Sequence, residues 1–142
     1  MPCVVWGPSL VKPGRTEHQI ISSIDILPTI AGIVGQELET NGLIDGLDQK
    51  DFILSGTPSK CDTVLYYSRR GKVQAIRKGD FKYFLSKDGN PPALYDLKED
   101  IAESKNIAHQ QPQIVNALDK KIKELDQELT ENKRTAGYTD HK

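Results

Sequence analysis

Cysteine is scarce in this 142-residue chain: Cys3 and Cys61 are its only two. Neither sits in a CxxC pair, so the sequence encodes no disulfide scaffold and no thiolate zinc site of the usual spacing. Net charge is nearly absent as well. Lysine plus arginine number 19 against 20 acidic residues, a formal balance of −1. That leaves no long-range field to draw in nucleic acid or an anionic membrane, and no stacking motif for nucleic acid is recognisable. No apolar run approaches the roughly 20 residues a membrane span requires, so no membrane partner is expected. The opening from Met1 to Trp6 lacks the basic segment and apolar run of a secretory leader. His18, His109 and His141 stand alone, without H-x-x-x-H spacing, and no glycine-rich phosphate loop or G-x-S-x-G elbow occurs. What remains is a chain of modest size, 37% hydrophobic and of mean hydropathy −0.52, suited to one small domain or to a small domain with part of another.

The apolar residues that are present fall into short, punctuated elements. Cys3-Val4-Val5-Trp6, stopped by Gly7-Pro8, predicts a strand buried on both faces, as in a parallel sheet. Gln19 to Ser22 predicts a second extended piece. Asp25 is expected to cap a helix that carries Pro28 in its first turn and closes at Gly35, with Ile26, Thr29, Ile30 and Ile33 or Val34 at helical spacing. Asp45-Gly46 reads as a turn and Asp48 as the cap of a short helix running to Leu54. Asp45, Asp48 and Asp51 lack the register of a calcium loop. The polar cluster Ser55 to Ser59 marks a boundary.

Beyond it, Thr63–Tyr67, Val73–Arg77, Phe81–Leu85 and Ala93–Leu97 predict four sequential strands joined by tight turns, hence an antiparallel sheet. Pro112 opens a last helix, on which Val115, Leu118, Ile122, Leu125 and Leu129 share one face. That face is expected to pack across the sheet, although its spacing also fits two heptads of a coiled coil. The expected fold class is therefore α+β, a four-stranded antiparallel sheet packed by a long C-terminal helix. The expected organisation is residues 1–58, a strand and helix belonging to a larger α/β domain; 59–130, the small antiparallel subdomain; and 131–142, a mobile tail.

The order of these elements resembles the C-terminal region of the sulfatases, within the alkaline-phosphatase superfamily. The resemblance is carried by Pro2-Cys3-Val4-Val5-Trp6-Gly7-Pro8, Asp25-Ile26-Leu27-Pro28-Thr29 and Asp45-Gly46. It continues through Ala75-Ile76-Arg77-Lys78-Gly79, Phe81-Lys82, Leu94-Tyr95-Asp96-Leu97, the acidic turn Glu99 to Glu103, and Asn106-Ile107. Ser9 departs from the family, which usually has glycine there. The resemblance implies a parent enzyme that hydrolyses sulfate esters with a formylglycine nucleophile and Ca²⁺. It also implies a partner, the catalytic N-terminal portion of such an enzyme, and export of the parent to the periplasm, the extracellular space or the lysosome.

That chemistry is not encoded between Met1 and Lys142. A formylglycine is made from the first residue of C/S-x-P-x-R. Cys3 leads into Val4-Val5-Trp6-Gly7, Cys61 into Asp62-Thr63-Val64-Leu65, and no serine fits either. The family's Asp-Asp pair and its later Asp-Asn or Asp-His pair are missing too. The chain is accordingly expected to be inactive alone, with no catalytic residue, metal ligand or cofactor of its own. Its candidate functional residues are Tyr67, Arg69 and Arg70, in a basic hairpin with Tyr66, Lys72 and Arg77. Guanidinium forks beside aromatic faces suit an oxyanion such as a sulfated small molecule or glycan at a pocket rim. A solvated basic turn is the structural alternative. Two rival readings are an interaction module that dimerises through its last helix and part of a related phosphoester or phosphonate hydrolase. An exposed N-terminal strand would offer a further route to self-association.

Overall fold

Alternation of apolar and polar residues after Thr63 produces four strands: β1 (Thr63–Tyr67), β2 (Val73–Lys78), β3 (Phe81–Phe84) and β4 (Ala93–Asp96). A computed structural model of the chain describes residues 3–39, 44–86 and 89–133. The strands pair antiparallel in the order β1-β2-β3-β4, each with its sequence neighbour. Register places Leu65 opposite Ile76, Ile76 opposite Tyr83, and Tyr83 opposite Leu94. One row thus crosses all four strands on one face of the sheet. Helix α3 (Pro112–Glu131) begins with its proline at the first helical position and lays Leu118 and Ile122 on that row, with Val115 and Leu125 packed beside them. Ile76, Leu94 and Ile122 are fully buried. The fold is α+β, as the pattern predicts.

The edge strand β4 is finished by side chains rather than by a fifth strand. Asn106 Oδ1 accepts from Leu94 N–H at 3.1 Å and from Ala108 N–H at 2.9 Å, while Ile107 N–H donates to the Leu94 carbonyl at 2.9 Å. These bonds satisfy backbone groups that an edge would otherwise expose. The acidic turn before Asn106 is held by Asp100, whose carboxylate accepts from the Ser104 hydroxyl at 2.9 Å and from Lys105 N–H at 2.8 Å. The backbone N–H groups of Lys105 first and then Ser104, with the Ser104 hydroxyl adding to them, hold the Asp100 carboxyl below its usual range.

The chain divides into the compact units Met1–Asp62 and Thr63–Lys142. In the first, a 3-10 turn (Ser23–Asp25) runs into α1 (Ile26–Val34), which Gly35 ends in a left-handed conformation with φ 71°. Helix α2 (Lys50–Ser55) follows after a loop. Several expectations are corrected here. Cys3–Trp6 forms no strand, while Gln19–Ser22, extended at Ser22 (φ −112°, ψ 154°), pairs with no strand among the described residues. Val4, 91% exposed, has no sheet neighbours among the described residues to complete the buried strand that its composition suggests. Asp25 does not cap α1. Its carboxylate reaches back to Ser22 N–H and across to Leu47 N–H, both at 2.8 Å, because a one-turn 3-10 segment precedes the helix. Asp45-Gly46 is not a turn: Gly46 lies in an irregular loop pressed against the Ile24 carbonyl. Asp48 does serve the start of α2, accepting from Lys50 N–H at 2.8 Å.

Ser9 adopts φ 71°, the region that favours glycine, and the turn closes around it through Leu10 and Val11 N–H donating to the Gly7 carbonyl. The expected tail lies outside the described residues from 134 onward, and Glu131 still belongs to α3.

Candidate functional site

The β1–β2 hairpin is organised by one hydroxyl. Ser68 Oγ accepts from Arg70 N–H at 3.3 Å and from Lys72 N–H at 3.1 Å, while Ser68 N–H donates to the Lys72 carbonyl at 2.8 Å. Gly71, at φ 73°, turns the chain back into β2. Arg69 and Arg70 are consequently held at an exposed, backbone-braced tip, and neither forms an ion pair among the described residues. Tyr67, half exposed, stands at the end of β1 where a bulge separates it from Tyr66. Such a tip can present two guanidinium forks to an oxyanion without first breaking an internal salt bridge.

The rest of the predicted basic group does not join it. Arg77 lies at the far end of β2, about 13 Å from Val73 by strand rise. Its Nε donates to the Gly79 carbonyl at 3.0 Å. Tyr66 faces the other side of the sheet from Leu65 and stacks on Lys82, whose Nζ lies 4.5 Å from the Tyr66 ring centroid and 4.9 Å from that of Phe84. Glu103 completes this second cluster, its Oε1 accepting from Lys82 Nζ at 2.6 Å. Phe84 in turn meets Tyr95 edge to face, centroids 6.0 Å apart. The cluster is a structural clamp between β3 and the acidic turn, with cation–π attraction strengthened by partial desolvation. Period-two alternation places Lys82 opposite Tyr83 in the sequence. Nothing local announces its distant acidic partner.

A third cluster joins β3 to α3. Tyr83 donates its hydroxyl to Asp119 Oδ1 at 3.0 Å, and Asp119 also accepts from Lys123 one helical turn on. The Lys123 hydrogen bond, assisted by that of Tyr83, holds the Asp119 carboxyl below its ordinary range. Burial, then the bond to Asp119, pushes the Tyr83 phenol from 10.0 up to about 12. An unfolded tyrosine ionises near pH 10 while the folded one resists, so this stabilisation is complete below pH 10 and is lost as pH rises towards 12. Solvent that reaches the hydroxyl screens part of this, so the expected loss is roughly 1–2 kcal/mol across that window. Denaturant titrations of wild type and Tyr83→Phe will read it. The variant should lack that part of the slope, and equal slopes would refute the assignment.

None of these clusters fits a sulfatase metal or nucleophile. Among the described residues no three His, Cys, Asp or Glu side chains gather as metal donors. Cys3 is exposed, Cys61 is half-buried, and neither lies in the formylglycine motif.

No family model matches the chain. Arylsulfatase A of Bos taurus is 28% identical over 151 aligned residues, which cover 88% of this chain and 29% of that protein. N-acetylgalactosamine-6-O-sulfatase of Bacteroides thetaiotaomicron is 28% identical over 132 residues, covering 83% of this chain and 25% of the relative. A solved structure of a 6S-sulf protein from the glycosaminoglycan-metabolism locus of Bacteroides thetaiotaomicron superposes with a TM-score of 0.74. It shares 25% identity and covers 84% of this chain and 28% of the other. The chain thus spans less than a third of the length of the relatives it matches.

Proposed function

We propose that this chain, which is a sulfatase-like C-terminal region, completes a sulfuric ester hydrolase by packing on its catalytic portion and lining the rim of its substrate pocket. One observation carries the reading: the match runs through nearly all of this chain while occupying under a third of arylsulfatase A. In this reading residues 1–58 are the last elements of a large α/β domain, and 59–130 form the small subdomain beside it. The nucleophile and the Ca²⁺ belong to the other portion, and the chain alone turns nothing over. Tyr67, Arg69 and Arg70 face a sulfated small molecule or glycan. Support for that role comes from the Ser68-braced turn, which holds both arginines exposed and without an ion pair among the described residues.

A two-chain reconstitution tests this. The bovine relative, with its matched C-terminal region removed, is mixed with this chain, and hydrolysis of 4-nitrophenyl sulfate and of a sulfated sugar is followed. Either chain alone should give only background. The mixture should turn over, and Arg69→Ala/Arg70→Ala should raise KM for the sulfated sugar about tenfold while kcat stays within threefold. An unchanged KM would remove the rim role. A fully associated but inactive mixture would remove the sulfatase role.

A further inference from the structure

Between Asp62 and Asp80 the chain carries Arg69, Arg70, Lys72, Arg77 and Lys78 and no acidic residue. Removing those five charges from the chain's balance of −1 leaves the remainder at −6. The β1–β2 hairpin is therefore a cationic element on an otherwise acidic chain. Strand extension divides its charge. Arg77 and Lys78 stand at the far end of β2, while Arg69, Arg70 and Lys72 occupy three of the four positions from 69 to 72 at the tip.

The tip holds its cations ready. Gly71 N–H donates to the Ser68 carbonyl at 2.9 Å, which makes Arg69 and Arg70 the central residues of a tight turn. Arg69, Arg70 and Lys72 are all exposed, and none forms an ion pair among the described residues. Adjacent like charges repel, so each cation strengthens the pull of its neighbours on an anion. The Ser68 hydroxyl fixes the backbone beneath them, which leaves less ordering to be done on binding.

A single sulfate ester carries one negative charge and matches one guanidinium fork. Two of the three cations would then stay uncompensated. Charge complementarity therefore calls for several anionic groups within reach of one turn. The acidic remainder limits the ligand's length, because a long polyanion would extend over residues whose net charge repels it. We infer that Arg69, Arg70 and Lys72 form a site for a short oligosaccharide bearing two or more anionic groups, sulfates or carboxylates. This rests on the proposed function and narrows its substrate class, since multiply charged sugars are held at the tip and single sulfate esters gain little from it. Tyr67, half exposed beside the turn, offers a sugar ring an apolar face.

The chain alone is titrated with a trisulfated disaccharide and with a monosulfated monosaccharide, following the backbone amide resonances of Arg70 and Lys72. An exposed ion pair is worth up to about fivefold in affinity. Engaging further cations should make the disaccharide about tenfold tighter at low salt, an advantage that screening at about 1 M salt should erase. Arg69→Ala/Arg70→Ala should bring the two sugars within about twofold of each other. Lys98→Ala, which removes an exposed charge elsewhere, should leave the preference intact. Equal affinities for the two sugars, or a preference that survives the double variant, would overturn the inference. So would single-stranded DNA of matching charge binding as tightly as the disaccharide, because charge alone would then be read. In the two-chain reconstitution the same sugars compete against 4-nitrophenyl sulfate, and the disaccharide's advantage as an inhibitor should vanish in the double variant. Turnover with that advantage unchanged would overturn the inference and leave the sulfatase reading in place. An associated pair without turnover would remove the sulfatase reading, and the titration of the chain alone would still decide what the tip binds.

Discussion

Leu94→Ala is expected to lower the unfolding free energy of the β1–β4/α3 unit by about 2–5 kcal/mol. Leu94 is fully buried and ends the row Leu65–Ile76–Tyr83–Leu94, against which α3 sets Leu118 and Ile122. Removing three side-chain carbons there loses transfer free energy and leaves a cavity that a hydrogen-bonded sheet cannot close. The position is further constrained because Leu94 N–H and C=O are tied to Asn106 and Ile107. Small domains hold a net stability of roughly 5–15 kcal/mol, so the loss is a large fraction of the total. Chemical denaturation of the chain, with the exposed Lys120→Ala as control, will measure it. A Leu94→Ala midpoint indistinguishable from the control would mean that α3 does not cover the sheet as described.

Gly46→Ala is expected to cost the first unit roughly 3 kcal/mol or more, because the new methyl has nowhere to go. A Cβ at Gly46 would lie 2.0 Å from the Ile24 carbonyl oxygen, a backbone atom in the turn that precedes α1. Relief requires the loop to retreat from α1, which breaks the bonds from Leu47 N–H to Asp25 and from Gln49 N–H to Thr29. The freed Gln49 N–H, which is buried, adds its own desolvation cost, and the partly buried Leu47 N–H a smaller one. Amide exchange will locate the damage: Leu47 and Gln49 N–H, protected in wild type, should exchange at least a hundredfold faster, while Ile76 and Tyr83 keep their protection. Unchanged protection at Leu47 would contradict the close approach.

The sheet and α3 were legible because their signals are local. Period-two runs between turn residues define β1 to β4, and the spacing from Val115 to Leu129 defines a face that needs only one surface to cover. The hairpin tip was legible for the same reason, with Ser68 and Gly71 fixing Arg69 and Arg70 in place. Contacts across long stretches of chain were not. Glu103 for Lys82, Asp119 for Tyr83 and Leu47 for Asp25 are separated by 21, 36 and 22 positions, and no residue pattern announces them. Arg77 was grouped with the tip by sequence proximity, yet strand extension carries it to the other end of β2. The expected strand at Cys3–Trp6 rested on an apolar run, and apolarity reports that a segment is to be covered, not that it pairs as a strand.

Completion of a catalytic portion by this chain is the claim on which the rest depends. It is tested most directly by the rate of 4-nitrophenyl sulfate hydrolysis in the two-chain reconstitution, with each chain measured alone. The account predicts background from the 142-residue chain, background from the truncated relative, and turnover only when both are present. Sulfatase turnover by the purified chain on its own, or none from an associated pair, would contradict it.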